Sequence, residues 1–171
     1  MISTTNTLLC IYSYNMGATL DVLIQSIKDM CPGFPAIIID DASEDPETLS
    51  VIKRNKSFFS EVLENRASKA GKRHGNLYLN IQKSIEYAVA NGFEYVLMVQ
   101  DDMQFVRAFS QQVREEYYSL FASDERVIQV DPRFLRRGTD YEILSERRAY
   151  RYDVRTSYAD IGVTMSAGSA L

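Results

Sequence analysis

The stretch that most constrains this chain is Tyr95-Val96-Leu97-Met98-Val99, followed directly by Gln100-Asp101-Asp102-Met103. Five apolar residues of β-favouring type in a row predict a strand buried on both faces, as parallel sheets use. An unpaired carboxylate costs several kcal/mol to bury, so two adjacent acids must reach water, a cation or a ligand. That puts Asp101 and Asp102 at a sheet rim, and in open α/β sheets ligands bind outside the carboxyl ends of the strands. Acids also cap helices and fill turns after strands, which is the structural alternative. A second copy weighs against it: Ala36-Ile37-Ile38-Ile39 is likewise followed by Asp40-Asp41.

Periodicity supplies the rest of an α/β pattern. Thr7 to Tyr14 reads as a buried strand and Asn15-Met16-Gly17 as a turn; Leu20, Leu23, Ile24, Ile27 and Met30 then recur at helical spacing until Pro32-Gly33. With the strand at Ala36 this makes a βαβ unit, hence a parallel pair. Asp45 as N-cap, Pro46 at the first helical position and Glu47 in the first turn start a second helix, so capping accounts for those two acids and leaves Asp40 and Asp41 unexplained. A short strand is expected within Phe58 to Leu63. Leu77, Ile81, Ile85 and Val89 predict a third helix with an apolar stripe, closed by Asn91-Gly92. Phe109, Val113, Tyr117, Leu120 and Phe121 predict a fourth, followed by a strand at Val127 to Val130. Arg133 to Arg155 is strongly charged and reads as an exposed excursion, and Asp160 to Met165 as a further strand.

The 171 residues suit one domain, and a net charge of -4 argues against a general nucleic-acid surface. No apolar run approaches the roughly 20 residues a transmembrane helix needs, and no N-terminal signal is evident. Cys10 and Cys31 read as buried thiols, which fits a reducing cytoplasm. Arg66 to Asn76 is the one basic run: a solvated loop, or cations gathered at a helix start to meet an anion. His74, the only histidine, reads as a loop residue. The first strand is not followed by Gly-x-Gly-x-x-Gly or a P-loop, nor by the Gly-rich loop expected of a nucleotidyltransferase, and a nucleophile elbow is absent.

In order, a strand ending Tyr12-Ser13-Tyr14-Asn15, a strand ending Asp40-Asp41-Ala42-Ser43, a basic loop, a helix and a strand ending Gln100-Asp101-Asp102 resemble the donor half of family 2-like glycosyltransferases. The resemblance implies a single Rossmann-like GT-A domain, α/β, with a mostly parallel sheet flanked by helices. It assigns residues 1–105 to the nucleotide-sugar-binding half and 106–171 to the beginning of an acceptor-binding half, which is expected to be truncated at its C-terminus. It further implies that Tyr12, Tyr14 and Asn15 lie at the nucleotide, that Asp40 or Asp41 binds the base or ribose, and that Lys72 or Arg73 lies near the diphosphate. Asp101 would be nearer the ribose and Asp102 the metal ligand of a DxD-like motif in which Gln100 replaces the first acid. A hard divalent cation, Mn²⁺ or Mg²⁺, suits such carboxylate oxygens. The function implied is transfer of a sugar from a nucleotide-diphosphate sugar to a hydroxyl of a carbohydrate, lipid-linked or protein acceptor, in the cytoplasm or peripheral to a membrane. Asp160 is the candidate catalytic base, although a turn or cap role is the ordinary reading of such a residue. The alternatives are a nucleotide-sugar-binding module without turnover, and an α/β domain whose acids are structural. A cut edge near Ile161 to Met165 would favour self-association.

Overall fold

The computed structural model describes residues 1–65, 76–132, 147–151 and 164–167. A seven-stranded sheet runs through the domain. Its first part is parallel: β3 (Glu61–Glu64), β2 (Ala36–Asp40), β1 (Thr7–Ser13) and β4 (Tyr95–Gln100) lie side by side in that order. Beyond β4 the sheet continues through β7 (Thr164–Ala167), β5 (Val127–Pro132) and β6 (Arg147–Arg151) in antiparallel pairings.

The near-continuous apolar strands follow from helices on both faces. Leu9 and Ile11 of β1, Ile38 of β2, and Leu97 and Val99 of β4 pack with α1 (Gly17–Met30), α2 (Pro46–Arg54) and α4 (Gln111–Ala122). The alternate residues Leu8, Cys10, Tyr12, Ile37, Ile39, Val96 and Met98 meet α3 (Leu77–Ala90). Every residue of β1 and β2 is buried, because side chains of either parity have a helix above them.

Helix boundaries obey local chemistry. Asp45 Oδ2 accepts from Thr48 N at 2.8 Å and from Thr48 Oγ1 at 2.6 Å, capping α2 at the expected position. After α3 the chain turns through Gly92 at φ +75°, and Phe93 N donates back to Ala88 O at 2.9 Å. Gly17 opens α1 against the start of α2: a Cβ there would stand 2.6 Å from Thr48 N. Both thiols are buried and free, as expected.

Several expectations shift. On α3 the fully covered residues are Asn80, Ser84 and Ala88, with Ile81 and Ile85 beside them, while Val89 is exposed. The apolar stripe therefore flanks a polar-to-small stripe that faces the sheet directly. Phe109 lies outside α4, which Ser110 caps, yet remains buried against Phe34 at 5.5 Å between ring centroids. Residues 56–58 form a 3₁₀ turn and the third strand begins only at Glu61. The charged excursion contains a strand, β6, because its backbone pairs with β5. Of the strand expected from Asp160 to Met165, Thr164 and Met165 fall in β7, and residues 160–163 lie outside the described residues.

Candidate functional site

Register sets the site. Ser13 is level with Asp40 across the β1–β2 pair, and Tyr12 with Gln100 across β1–β4, so three parallel strands end together. The ladder runs one step further: Asp41 N donates to Ser13 O at 2.9 Å and Asp101 N to Tyr12 O at 3.0 Å. Tyr14, Asp41 and Asp101 thus emerge side by side. In the order β3-β2-β1-β4 the crossovers reverse between β1 and β4, and this switch point is where open α/β sheets bind ligands. A cleft of about 360 Å³ occupies it, lined by Tyr12, Ser13 and Tyr14 of the β1 end, Asp41, Gln100, Asp101, and Leu77 and Asn80 of α3.

Each carboxylate has a distinct setting. Asp101 Oδ2 accepts from Tyr14 N at 2.6 Å. Burial pushes its carboxyl up to about 6; the neighbouring charge of Asp102 adds to this, and the Tyr14 N–H opposes it. Asp40 turns inward, accepting from Ser43 N at 2.8 Å and from Ser43 Oγ at 2.6 Å. Burial raises its pKa, with Ser43 opposing and the Glu64 and Asp41 charges adding. Asp41 accepts from Asn65 Nδ2 at 3.2 Å and from Asn76 N at the entry to α3. Asp102 is exposed next to Asp101.

The loops that carry these groups are held tightly. Asn15, at φ +53°, accepts at Oδ1 from Glu44 N at 2.8 Å and from Asp45 N at 3.0 Å, while its own N–H donates to Ser43 Oγ at 2.9 Å. Ala42 has φ +58°, a conformation costing a non-glycine residue roughly 1 kcal/mol. Such strain clusters at functional sites in proteins generally.

Of the residues singled out from sequence, Tyr12, Tyr14, Asp41 and Asp101 share one cleft. Asp40 and Asn15 brace the loops beside it, and Asp102 stands at the exposed rim. Lys72, Arg73, His74 and Asp160 lie outside the described residues. Among the described residues no group of three or more His, Cys, Asp or Glu side chains could hold a metal ion. A Mg²⁺-like cation needs only one or two carboxylates when its other ligands are water or a bound anion, so Asp101 and Asp102 are the adjacent carboxylates at the strand ends that could hold one. No described helix is long and apolar enough to cross a membrane.

Sequence reasoning passed over Asn65, Asn80 and Ser84. Tyr12 OH and Ser84 Oγ lie 2.7 Å apart, and Ser84 Oγ donates to Ile81 O at 2.7 Å, so the phenol is the donor of that pair. Asn80, Ser84 and Ala88 recur at i, i+4 spacing beside the apolar stripe, and that second periodicity was the available signal.

No protein-family model matches the sequence, and no curated protein matches it. Solved structures do. S. aureus TarS 1-349 in complex with UDP aligns at a TM-score of 0.50 and 14% identity, over 72% of this chain and 34% of that one. The mannosyltransferase PcManGT from Pyrobaculum calidifontis, in complex with GDP-Man and Mn²⁺, gives 0.51 at 15% identity over 72% and 34%. A cytidylyltransferase from Leptospira borgpetersenii gives 0.53 at 10% identity over 96% and 61%. The chain spans less than two thirds of the length of each. Their common architecture, together with the parallel strand order, shows a GT-A-like α/β fold.

Proposed function

We propose that the cleft binds a nucleotide-diphosphate sugar and that the chain is the donor-binding part of a glycosyltransferase. One observation carries the reading: the level ends of β1, β2 and β4 bring Tyr14, Asp41 and Asp101 into a single cleft at the switch point. Residues 1–105 form the donor half and 106–171 begin the acceptor half. The UDP and GDP-Man complexes among the structural neighbours agree with a nucleoside-diphosphate ligand.

Tyr12 and Tyr14 flank the base, Asp41 accepts from base or ribose, and Asp101 accepts from ribose hydroxyls. Asp102 holds Mn²⁺ or Mg²⁺, which when bound neutralises charge on the departing diphosphate. Lys72 or Arg73 is the cationic partner of that diphosphate. An acceptor hydroxyl on a carbohydrate, lipid-linked or protein substrate attacks the anomeric carbon. The bond from that carbon to the diphosphate oxygen breaks, and the hydroxyl proton passes to a carboxylate, with Asp160 the candidate. A second reading, binding without turnover, is favoured by the cleft lining itself: its acids among the described residues are Asp41 and Asp101, and both accept backbone N–H groups.

Thermal unfolding with nucleoside diphosphates, with and without Mn²⁺, tests the proposal. A ligand at about 100 times its dissociation constant adds about 2.7 kcal/mol, or about 5–10 °C for a domain of this size. The expected result is a Mn²⁺-dependent rise that Asp102→Ala abolishes. No shift with any nucleotide would refute donor binding, and binding without release of nucleoside diphosphate from a sugar donor would select the second reading.

A further inference from the structure

On one side the sheet ends at β3, whose outer edge meets no other strand among the described residues. The ladder to β2 decides which backbone groups point outward. Glu64 is level with Asp40, and Asn65 N donates to Asp40 O at 2.7 Å. Backbone groups alternate along a strand, so Glu61, Leu63 and Asn65 turn theirs toward β2, while the N–H and C=O of Val62 and Glu64 point away from the sheet. Side chains alternate as well. Val62 packs on the face that carries α2 and Leu63 on the face that carries α3, which places Glu64 with Val62 and Glu61 with Leu63. Between α2 and this open edge lies a groove of about 460 Å³, lined by Leu49, Ile52, Lys53, Lys56, Phe59 and Val62. Leu49 is 48% exposed, and the exposed Lys53 and Lys56 make no ion pair among the described residues.

We infer that this edge pairs with the same edge of a second copy of the chain, β3 against β3 in antiparallel, so that two sheets join into one across a two-fold axis. The faces restrict the register. Residues directly opposite in an antiparallel pair lie on the same face, so Val62 can oppose Val62 or Glu64 of the second copy but not Leu63. With Leu63 opposite Leu63, Val62 opposes Glu64 in both directions, and the outward residues exchange four backbone hydrogen bonds. Centring the pair on Val62 forms only two, because it sets Glu64 opposite Ser60, whose N–H is already given to Ala36 O at 2.7 Å. Centring it on Glu61 or Glu64 opposes two carboxylates. Charged residues on a short edge strand ordinarily discourage pairing. Here they exclude the registers centred on themselves and leave one. Charge then selects the occupant: in that register Glu64 of the second copy arrives beside Val62, in the groove that Lys53 and Lys56 line, and symmetry makes the contact twice.

The test is sedimentation equilibrium of the full chain, loaded from about 1 µM to about 1 mM, the range in which a small interface dissociates. The expected result is a reversible monomer–dimer equilibrium. Val62→Pro removes an outward N–H and leaves the bonds to β2 in place, so it should keep the thermal midpoint and weaken the dimer about tenfold or more. Glu64→Lys should weaken it by about tenfold, and adding Lys53→Glu with Lys56→Glu to that variant should restore it, a rescue that loss of folding could not produce. If Val62→Pro fails to fold, the charge reversal and its rescue decide the question alone. A wild type monomeric throughout, a dimer unchanged by both Val62→Pro and Glu64→Lys, or growth beyond a dimer, which a closed two-fold contact cannot give, overturns the inference. Nucleotide binding is untouched by any of these outcomes.

Discussion

Asp101→Asn isolates the electrostatic cost of building the cleft. Burial first, then the Asp102 charge, lift the Asp101 carboxyl from its ordinary 3.8 to about 6, against the opposing Tyr14 N–H. The folded value lies above the unfolded one. Between about pH 4 and pH 6 the folded chain therefore holds a proton that the unfolded chain has released, and the slope of stability against pH is negative there. The associated stability is complete below about pH 4 and is lost as pH rises through about 6. At full strength that displacement corresponds to about 3 kcal/mol. Asp101 is only partly buried, so solvent screening leaves about 1–2 kcal/mol. Asparagine keeps an oxygen for the Tyr14 N–H and removes the titration. Urea unfolding across this pH range should find the variant about 1–2 kcal/mol more stable than wild type near pH 7.5, with the difference vanishing near pH 4. A difference independent of pH, or a wild type that gains on the variant as pH rises, would refute the reasoning. The same variant should bind nucleoside diphosphate more weakly, the exchange expected where a site is held in an unfavourable electrostatic state.

Three further outcomes follow from the packing. Gly17→Ala places a methyl 2.6 Å from Thr48 N and from Glu47 Cγ, and since backbone cannot yield cheaply it should cost about 1–3 kcal/mol in chemical denaturation. Leu97→Ala, at a fully buried position in the middle of β4, should cost about 2–5 kcal/mol with the denaturant slope unchanged. Burial pushes the Cys31 thiol up to about 12 and raises that of Cys10 as well, so neither should react with a thiol reagent at pH 8 until the chain unfolds.

What the sequence revealed, and what it concealed, divides along physical lines. Strands covered on both faces announce themselves by unbroken apolar runs, so β1, β2 and β4 were legible, and with them the rim where Asp41 and Asp101 emerge. Asp45-Pro46-Glu47 announced α2 through local capping chemistry alone. The network of Asn65, Asn80 and Lys83 was not legible, because its members are 15 and 18 residues from Asn65 in the chain and meet only through the tertiary packing of α3. The distinction between Asp40 and Asp41 was hidden for a similar reason. Two neighbouring acids at a strand end look alike in sequence, and the loop geometry at Ala42 and Ser43 turns one inward while the other lines the cleft. β6 was missed because its backbone pairing with β5 overrides a charged sequence that has no strand-like alternation.

The most direct test of the central claim is amide chemical-shift mapping of the isotope-labelled chain on addition of UDP and Mg²⁺, which asks where the ligand sits rather than whether it stabilises. The account predicts that the largest changes fall on Tyr14, Asp41, Asn80 and Asp101, while a second groove, lined by Ile52, Lys56, Phe59 and Val62 at the end of α2, stays silent. A saturable response centred on that groove, or none at all from a folded chain, would contradict it.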